Sequence, residues 1–297
     1  MKFGVLGSGN AATGLAFILA KRGYEVYQTD LEQFLGNIRA IKKQGGVYGQ
    51  LGEDGEKELV KVVGTESIED VFNNCEIVFI TTPAYGIKNF ANKCKPYIRD
   101  GQKIILCPGS AGGSLEFKKE LGIDYFDSKL IVCETSTVPY ASRLIGPGHV
   151  NVILDVKKFI FSSLPRDKAI EDFAKKLWNG VQVESLMFTI LSDGNPVIHP
   201  PIMIFNAGRI ENTNGNFLFY SDGVTRATGN LIKAVDEERL AIGKKLNLDL
   251  YTEPEIGKLQ GFMDEANYWE GYRNGPGFTM IKAPDTLEHR YLIEDVK

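Results

Sequence analysis

The stretch Lys2–Asp30, KFGVLGSGNAATGLAFILAKRGYEVYQTD, decides the fold. Lys2 to Leu6 is a short apolar run that stops at Gly7, as a strand does. Leu15, Ala16, Ile18 and Leu19 then recur at helical spacing. Lys21-Arg22-Gly23 supplies basic residues for a last turn and a glycine to end it. Glu25 to Thr29 reads as a second strand, with Asp30 at its end. Strand, turn, helix and strand follow one another without a gap.

Between that first strand and the helix stands Gly7-Ser8-Gly9-Asn10-Ala11-Ala12. Gly7 permits the tight turn. Gly9 puts no Cβ between the backbone and a pyrophosphate, and Ala12 still lets helix and strand pack closely. The helix N-terminus offers unpaired N–H groups and the positive end of its dipole. Gly7, Ser8, Gly9, Asn10 and Ala11 are therefore candidate dinucleotide-binding residues. Asp30 lies 21 positions after Gly9. Its carboxylate can accept both ribose hydroxyls and would repel a 2′-phosphate. No Arg or Lys follows in Leu31-Glu32-Gln33-Phe34. NAD is thus preferred over NADP, with NADP as the second candidate. Asp30 also reads as a helix N-cap, and the two roles are compatible.

Further along, Glu76–Thr81, Lys103–Cys107, Leu130–Cys133, Val150–Leu154 and Val181–Val183 read as strands. Leu31–Lys43, Ala84–Lys95, Ser114–Leu121 and Arg166–Leu177 read as helices between them. Near-continuous apolar strands alternating with helices mean a mostly parallel sheet covered on both faces. Ligands bind such sheets at the carboxyl ends of the strands, which marks Thr82 and Pro83 as cofactor contacts. From about Leu186 the segments turn helical: Pro200–Glu211, then Val224–Leu246, then a turn at Tyr251–Pro254. The expected fold is α/β, a Rossmann-type doubly wound parallel sheet over residues 1–186, followed by an all-α substrate domain over residues 187–297. Asp236-Glu237-Glu238-Arg239 reads as a solvated helix face, and Tyr268, Trp269, Tyr272 and Phe278 as core packing or a subunit contact.

Composition narrows the class. The 297 residues carry 34 Lys plus Arg against 38 Asp plus Glu, a net charge of −4, which argues against a nucleic-acid binder. Apolar residues make up 43% and charged residues 24%, enough for an ordinary core and too apolar for wholesale disorder. No run reaches the ~18–20 apolar residues of a membrane span, and the start reads as a strand and not a signal peptide. The four cysteines have no CxxC spacing, and Cys75, Cys107 and Cys133 flank or sit in apolar runs. They read as reduced thiols of a cytoplasmic protein, with no metal site.

A dinucleotide points to hydride transfer, which needs an acid/base partner. Only His149, His199 and His289 offer an imidazole. His149 sits in a turn, Ile145-Gly146-Pro147-Gly148. His199 precedes Pro200 and Pro201, which suit a first helical turn, so it is placed at or near an N-cap beside the domain junction. Taken alone, a capping or core histidine is the simpler reading.

Three further motifs follow in order: Glu134-Thr135-Ser136-Thr137-Val138-Pro139-Tyr140-Ala141-Ser142-Arg143, then Asn195-Pro196-x-x-His199-Pro200, then Arg290-Tyr291-x-x-Glu294-Asp295. With the early glycine turn, the set resembles the opine dehydrogenases of the NAD/NADP octopine/nopaline type over the whole chain. The resemblance implies a reductive condensation of an amino acid with a 2-oxo acid such as pyruvate, reduced by NADH or NADPH. That is oxidoreductase chemistry at a CH–NH group. It implies His199 as acid/base with Asp295 as its carboxylate partner, Arg290 as the clamp on the oxo-acid carboxylate, and Glu134 and Thr135 facing the amino-acid side. It implies a 6-phosphogluconate dehydrogenase-like helical domain, and a homodimer is expected with it.

The residue types suit this work. Imidazole titrates near neutrality, and the guanidinium fork matches a carboxylate. Arg290 and Asp295 are five residues apart, so a straight helix would turn them to different faces. The family normally continues for several helices beyond this motif, whereas the chain stops at Lys297. The expectation is a second domain cut short, with Asp295 poorly held. Two other readings stand beside this one: a ketopantoate reductase-like 2-oxo acid reductase, and a dinucleotide-binding protein without turnover.

Overall fold

The structure, a computed structural model, describes residues 1–296. Contacts divide the chain into two compact units, Met1–Val156 with Ile160–Leu186, and Lys157–Phe159 with Met187–Lys297.

The strands run β1 Lys2–Leu6, β2 Glu25–Thr29, β3 Val47–Leu51, β4 Glu58–Val60, β5 Val63–Gly64 and β6 Ile77–Ile80. They continue with β7 Gln102–Leu106, β8 Leu130–Thr135, β9 Tyr140–Gly146, β10 His149–Asp155, β11 Phe159–Leu164 and β12 Val181–Val183. The main sheet has the order β12-β11-β8-β7-β6-β1-β2-β5. From β5 across to β8 every pairing is parallel, and β11 joins β8 antiparallel. Strand order reverses at β1, which pairs with β2 on one side and β6 on the other. The loops after β1 and β6 therefore flank the crevice where a doubly wound sheet takes its ligand.

All four residues of β6 are buried, as covering on both faces demands. On one face Leu6, Val78, Ile80, Ile104 and Leu106 pack against Phe90 and Ala91 of the helix Ala84–Cys94 and Phe117 of the helix Gly113–Leu121.

Val150–Leu154 is a strand, but it does not belong to this sheet. It lies in β10, in a separate four-stranded sheet of order β4-β3-β10-β9. The Gly146-Pro147-Gly148 turn folds it back antiparallel on β9, and its free edge is taken by β3. The glycines make the difference. Gly148 has φ +67 and opens a hairpin turn.

In the second unit the main helices are Asn195–Phe205, Ala207–Thr213, Arg226–Lys245 and Glu253–Gln260. The expected helix Pro200–Glu211 is thus two helices that part at Asn206, and the first begins five residues earlier than its prolines suggested. The turn at Tyr251–Pro254 becomes a helix start, with a capping box between Thr252 and Glu255. Ile202, Met203, Phe219, Tyr220, Ile232 and Tyr272 form the core, and Phe278 joins it. The aromatic cluster thus packs inward, as core residues do.

Asp236-Glu237-Glu238-Arg239 is not simply a solvated face. Thr228, Gly229, Ile232, Asp236, Arg239 and Gly243 fall on the buried stripe of the helix Arg226–Lys245. Asp236 is fully buried and Arg239 is 9% exposed, and the two pair at 2.7 Å. Asp236 also accepts from the Glu253 backbone N–H at 2.8 Å and from the Tyr268 hydroxyl at 2.6 Å. A buried carboxylate with this many donors knits two helices and a loop.

Among the described residues no helix is long and apolar enough to cross a membrane, and no group of His, Cys, Asp and Glu is placed to hold a metal ion. All four cysteines are free and buried.

Candidate functional site

The turn after β1 is held by backbone geometry. Gly7 has φ +121, and a Cβ there would lie 2.6 Å from the Thr81 carbonyl oxygen. Only glycine suits both conditions. Gly9 caps the helix Asn10–Lys21, and a Cβ on it would meet nothing within 4 Å. The chain therefore leaves open the space that a close-approaching ligand needs. No side chain caps this helix, so its first N–H groups remain for an anion.

Ser8 and Asp30 form the second part. The Ser8 hydroxyl donates to Asp30 Oδ2 at 2.6 Å and reaches the Phe34 carbonyl at 3.1 Å. Asp30 Oδ1 accepts from the Leu31 N–H at 2.7 Å. Burial raises the Asp30 carboxyl above its usual range, while Ser8 and Leu31 pull it down. The short helical turn beyond it, Glu32–Phe34, is capped by Leu31, so Asp30 serves the loop and not a helix N-cap. The Asn10 side chain is used inside the unit: its Oδ1 accepts from the Leu144 N–H at 2.8 Å, and Ser142 donates to its carbonyl at 2.8 Å. That fastens the glycine turn to the small sheet.

Thr82 and Pro83 are partly exposed at the carboxyl end of β6, and Pro83 is the N-cap of the helix Ala84–Cys94. Ala11, Thr81, Cys107, Val138 and Pro139 come together beside the carboxyl ends of β6 and β7, leaving a gap too small to hold a water molecule.

Glu134 and Thr135 end β8, and each is 1% exposed. Glu134 Oε1 accepts from the Ser114 N–H at 2.5 Å, and the Thr135 carbonyl accepts from the Gly109 N–H at 2.9 Å. Both therefore brace the loop after β7. Their expected place facing an amino acid gains no support from this geometry, because neither presents a polar group outward.

The second unit gathers a different kind of site. His199 is not at an N-cap but inside the helix Asn195–Phe205, its fifth residue, and is 3% exposed. Pro196 serves the first turn, while Pro200 and Pro201 lie in the helix interior. Those two leave their partner carbonyls without an N–H.

Around the ring both nitrogens and one face are occupied. Nδ1 lies 2.7 Å from Asp295 Oδ2, Nε2 lies 3.0 Å from the Tyr220 hydroxyl, and the Tyr291 ring stacks on one face at 3.8 Å between centroids. A carboxylate at Nδ1 favours a proton there, which leaves Nε2 as acceptor in the neutral ring.

Burial, with Arg290 nearby, holds the His199 imidazole well below its usual range. Burial pushes the Asp295 carboxyl up to about 7, against the pull of Arg290. The two share one hydrogen bond and titrate as a unit. Asp193, also buried, is pushed up to about 7, and Asn195 N–H donates to its Oδ1 at 3.0 Å.

Arg290 and Asp295 lie close enough for the guanidinium to pull the carboxyl down. The helix Arg290–Ile293 is a single turn, Glu294 keeps the right-handed helical conformation, and the Val296 N–H donates to the Leu292 carbonyl at 3.3 Å. Asp295 has only 7% of its side chain exposed and is held by His199, so the expectation that it is poorly held fails. Arg290 is half exposed and pairs with Glu294 at 3.2 Å. Sequence reasoning missed Tyr220, Tyr291 as a stacking ring, Asp193 and Glu294. Tyr291 and Glu294 stood in a quoted motif without a role. Tyr220, in Phe217-Leu218-Phe219-Tyr220, carries no signal apart from the fold.

Comparison with known proteins supplies the remaining findings. The family model for NAD/NADP octopine/nopaline dehydrogenase, alpha-helical domain, matches residues 182–297, and that for ketopantoate reductase PanE/ApbA matches residues 3–153. An opine dehydrogenase from Arthrobacter sp. (strain 1C) is 31% identical over 99% of this chain and 81% of its own. A vitopine synthase from Allorhizobium ampelinum is 28% identical over 100% and 82%. Solved structures of octopine dehydrogenase with NADH and agmatine, L-arginine or pyruvate share this fold with TM-scores of 0.77, 0.77 and 0.73. Their identity is 20%, over 100% of this chain and 81% of theirs.

Proposed function

The chain belongs to the opine dehydrogenase family, NAD(P)-dependent oxidoreductases acting on the CH–NH group of donors, and from that premise we propose that it joins an amino acid to a 2-oxo acid such as pyruvate by reductive condensation, or runs the reverse oxidation. The observation that carries this reading is the buried 2.7 Å bond between His199 and Asp295, with Arg290 in the turn that precedes Asp295.

Gly7, Ser8, Gly9, Asn10, Ala11, Asp30, Thr82 and Pro83 would hold the dinucleotide, NAD in preference to NADP because Asp30 repels a 2′-phosphate. The open space at Gly9 and the uncapped helix end fit it. The bound cofactor supplies a hydride for the carbon of the substrate imine.

Arg290 turns its fork from Glu294 to the carboxylate of the 2-oxo acid and fixes that acid's angle. His199 first takes a proton from the amino acid's ammonium, freeing the amine to attack the oxo carbon. It then returns a proton to the carbinolamine hydroxyl, which leaves as water and generates the protonated imine that accepts the hydride. Asp295 keeps the ring's tautomer and offsets the charge of the imidazolium. Glu134 and Thr135 act in this scheme by bracing the loop after β7.

The test is loss of NADH absorbance with pyruvate in excess against a panel of the common amino acids, with NADPH and 2-oxoglutarate run alongside. Turnover with one amino-acid group is the expected result. Silence across the panel, with NADH still bound, would replace this reading with that of a dinucleotide-binding protein without turnover.

A further inference from the structure

The hydroxyl of Tyr220 lies 3.0 Å from His199 Nε2. We infer that Tyr220 is a positioning residue of the acid/base pair, keeping Nε2 hydrogen-bonded in both charge states of the ring while no substrate is bound; this rests on His199 being the acid/base group. Two features of the geometry lead there. First, His199 is 3% exposed and Tyr220 3% exposed, so no bulk water can take over at Nε2 when the ring gains or loses a proton. Second, Tyr220 is fixed from behind: its ring centroid lies 4.5 Å from that of Phe278 and 5.0 Å from that of Phe219, and it stacks on Tyr272 at 6.3 Å.

A hydroxyl is the group this position requires. It donates to the bare Nε2 of a neutral imidazole and accepts from the Nε2–H of an imidazolium. A carboxylate could only accept, and an ammonium only donate. Asp295 already fixes Nδ1, so Nε2 is the nitrogen that exchanges a proton with substrate, and Tyr220 holds it between exchanges. The charged and titratable groups that act on the ring are Asp295, Arg290, Glu294 and His289, and those that act on Tyr220 are Tyr291, Glu253, Arg290 and Asp295. Burial raises the Tyr220 phenol well above its usual range, so it stays a neutral hydroxyl at every working pH.

Removing the hydroxyl orphans Nε2 in both states, but more severely in the cation. There a charge-assisted bond is lost, about twice as strong as the neutral one. Tyr220→Phe keeps the ring and its packing and should disfavour the imidazolium. The experiment labels the three histidines with nitrogen-15 and reads both ring nitrogens of His199 by NMR in the whole protein, assigned with His199→Gln. In the native chain Nε2 should resonate as a hydrogen-bonded acceptor and Nδ1 as a protonated nitrogen. In Tyr220→Phe the Nε2 signal should move to the free-acceptor position while Nδ1 stays.

In the pH profile of kcat/KM, the limb governed by His199 should move about one pH unit lower. A native Nε2 that already resonates as a free acceptor would overturn the inference even if the variant failed to fold. So would a variant whose His199 signals match the native ones. The NMR readout needs no substrate, so an enzyme silent with every amino acid would strike the proposed reaction and leave this measurement standing.

Discussion

In the first unit the candidate cofactor turn is made of backbone. Gly7 to Ala12 are neighbours in the chain, and their conformation and missing side chains create the space. In the second unit the candidate acid/base cluster is made of side chains drawn from positions 193 to 295, and His199 meets a partner 96 residues away. The first kind of site is local, open and carries its chemistry in N–H groups. The second is buried, non-local and carries its chemistry in protons. The difference teaches that a binding turn is specified by what residues lack, and an acid/base cluster by which residues packing brings together.

Five substitutions break or sharpen that contrast. The largest effect is expected at His199. His199→Ala should cost about 10²- to 10⁴-fold in turnover, the usual scale of general acid–base catalysis, with NADH affinity unchanged because the turn lies in the other unit. Steady-state rates beside an NADH fluorescence titration check it, and a variant as fast as the native chain would remove His199 from the chemistry.

Next comes the glycine pair. Gly7→Ala puts a Cβ 2.6 Å from a carbonyl oxygen at φ +121, so both Tm and NADH affinity should fall. Gly9→Ala finds open space, so Tm should hold while NADH affinity alone falls. Parallel melting curves and titrations separate the two outcomes. Equal Tm losses would show that Gly9 is structural and not kept bare for a ligand.

A smaller effect is expected at Asp30. Asp30→Ala removes a carboxylate that suits ribose hydroxyls and repels a 2′-phosphate. The ratio of kcat/KM for NADPH over NADH should rise roughly tenfold, the scale of one charge-assisted hydrogen bond. An unchanged ratio would assign Asp30 to fixing Ser8 and Leu31 alone.

The smallest concerns stability at Glu253. Burial, with Asp236 nearby, pushes this carboxyl from 4.5 up to about 8. Between those values the folded chain keeps a proton that the unfolded chain releases. Its contribution is full below the unfolded value and is lost as pH rises through the folded one. Glu253→Gln should therefore flatten the decline in stability from mildly acidic to mildly alkaline pH. Urea midpoints across that range test this, and identical slopes in the two proteins would refute it.

The parts legible in the sequence were those governed by short-range rules. Gly7, Gly9 and Asp30 could be placed because strand, turn, helix and strand follow each other directly, and the sheet order follows from such units. The small second sheet was not legible. β3 and β10 pair across about a hundred residues, and nothing in Val47–Leu51 announces its partner. His199 was misplaced by local reasoning. Two prolines read as a helix start, while Pro196 had already begun it. Asp236 was misread because a charged run looks solvated until the helix's inner stripe is known. Arg290 and Asp295 were found through family resemblance, since their spacing on a straight helix argues against a shared site. That the two nonetheless come close enough to interact is a tertiary fact.

The sequence by itself determined the class of the first unit, its glycine turn as a candidate dinucleotide site and the chemical types available for catalysis. Those follow from φ preferences, apolar periodicity and side-chain pKa ranges, which act over a few residues. Tertiary structure alone decided that Asp295 and Tyr220 hold the two edges of His199 and that Tyr291 covers its face. It also decided that Asp236 is buried and that Glu134 braces a loop. These depend on which distant surfaces meet and exclude water, and desolvation turns ordinary residue types into a site with shifted protons.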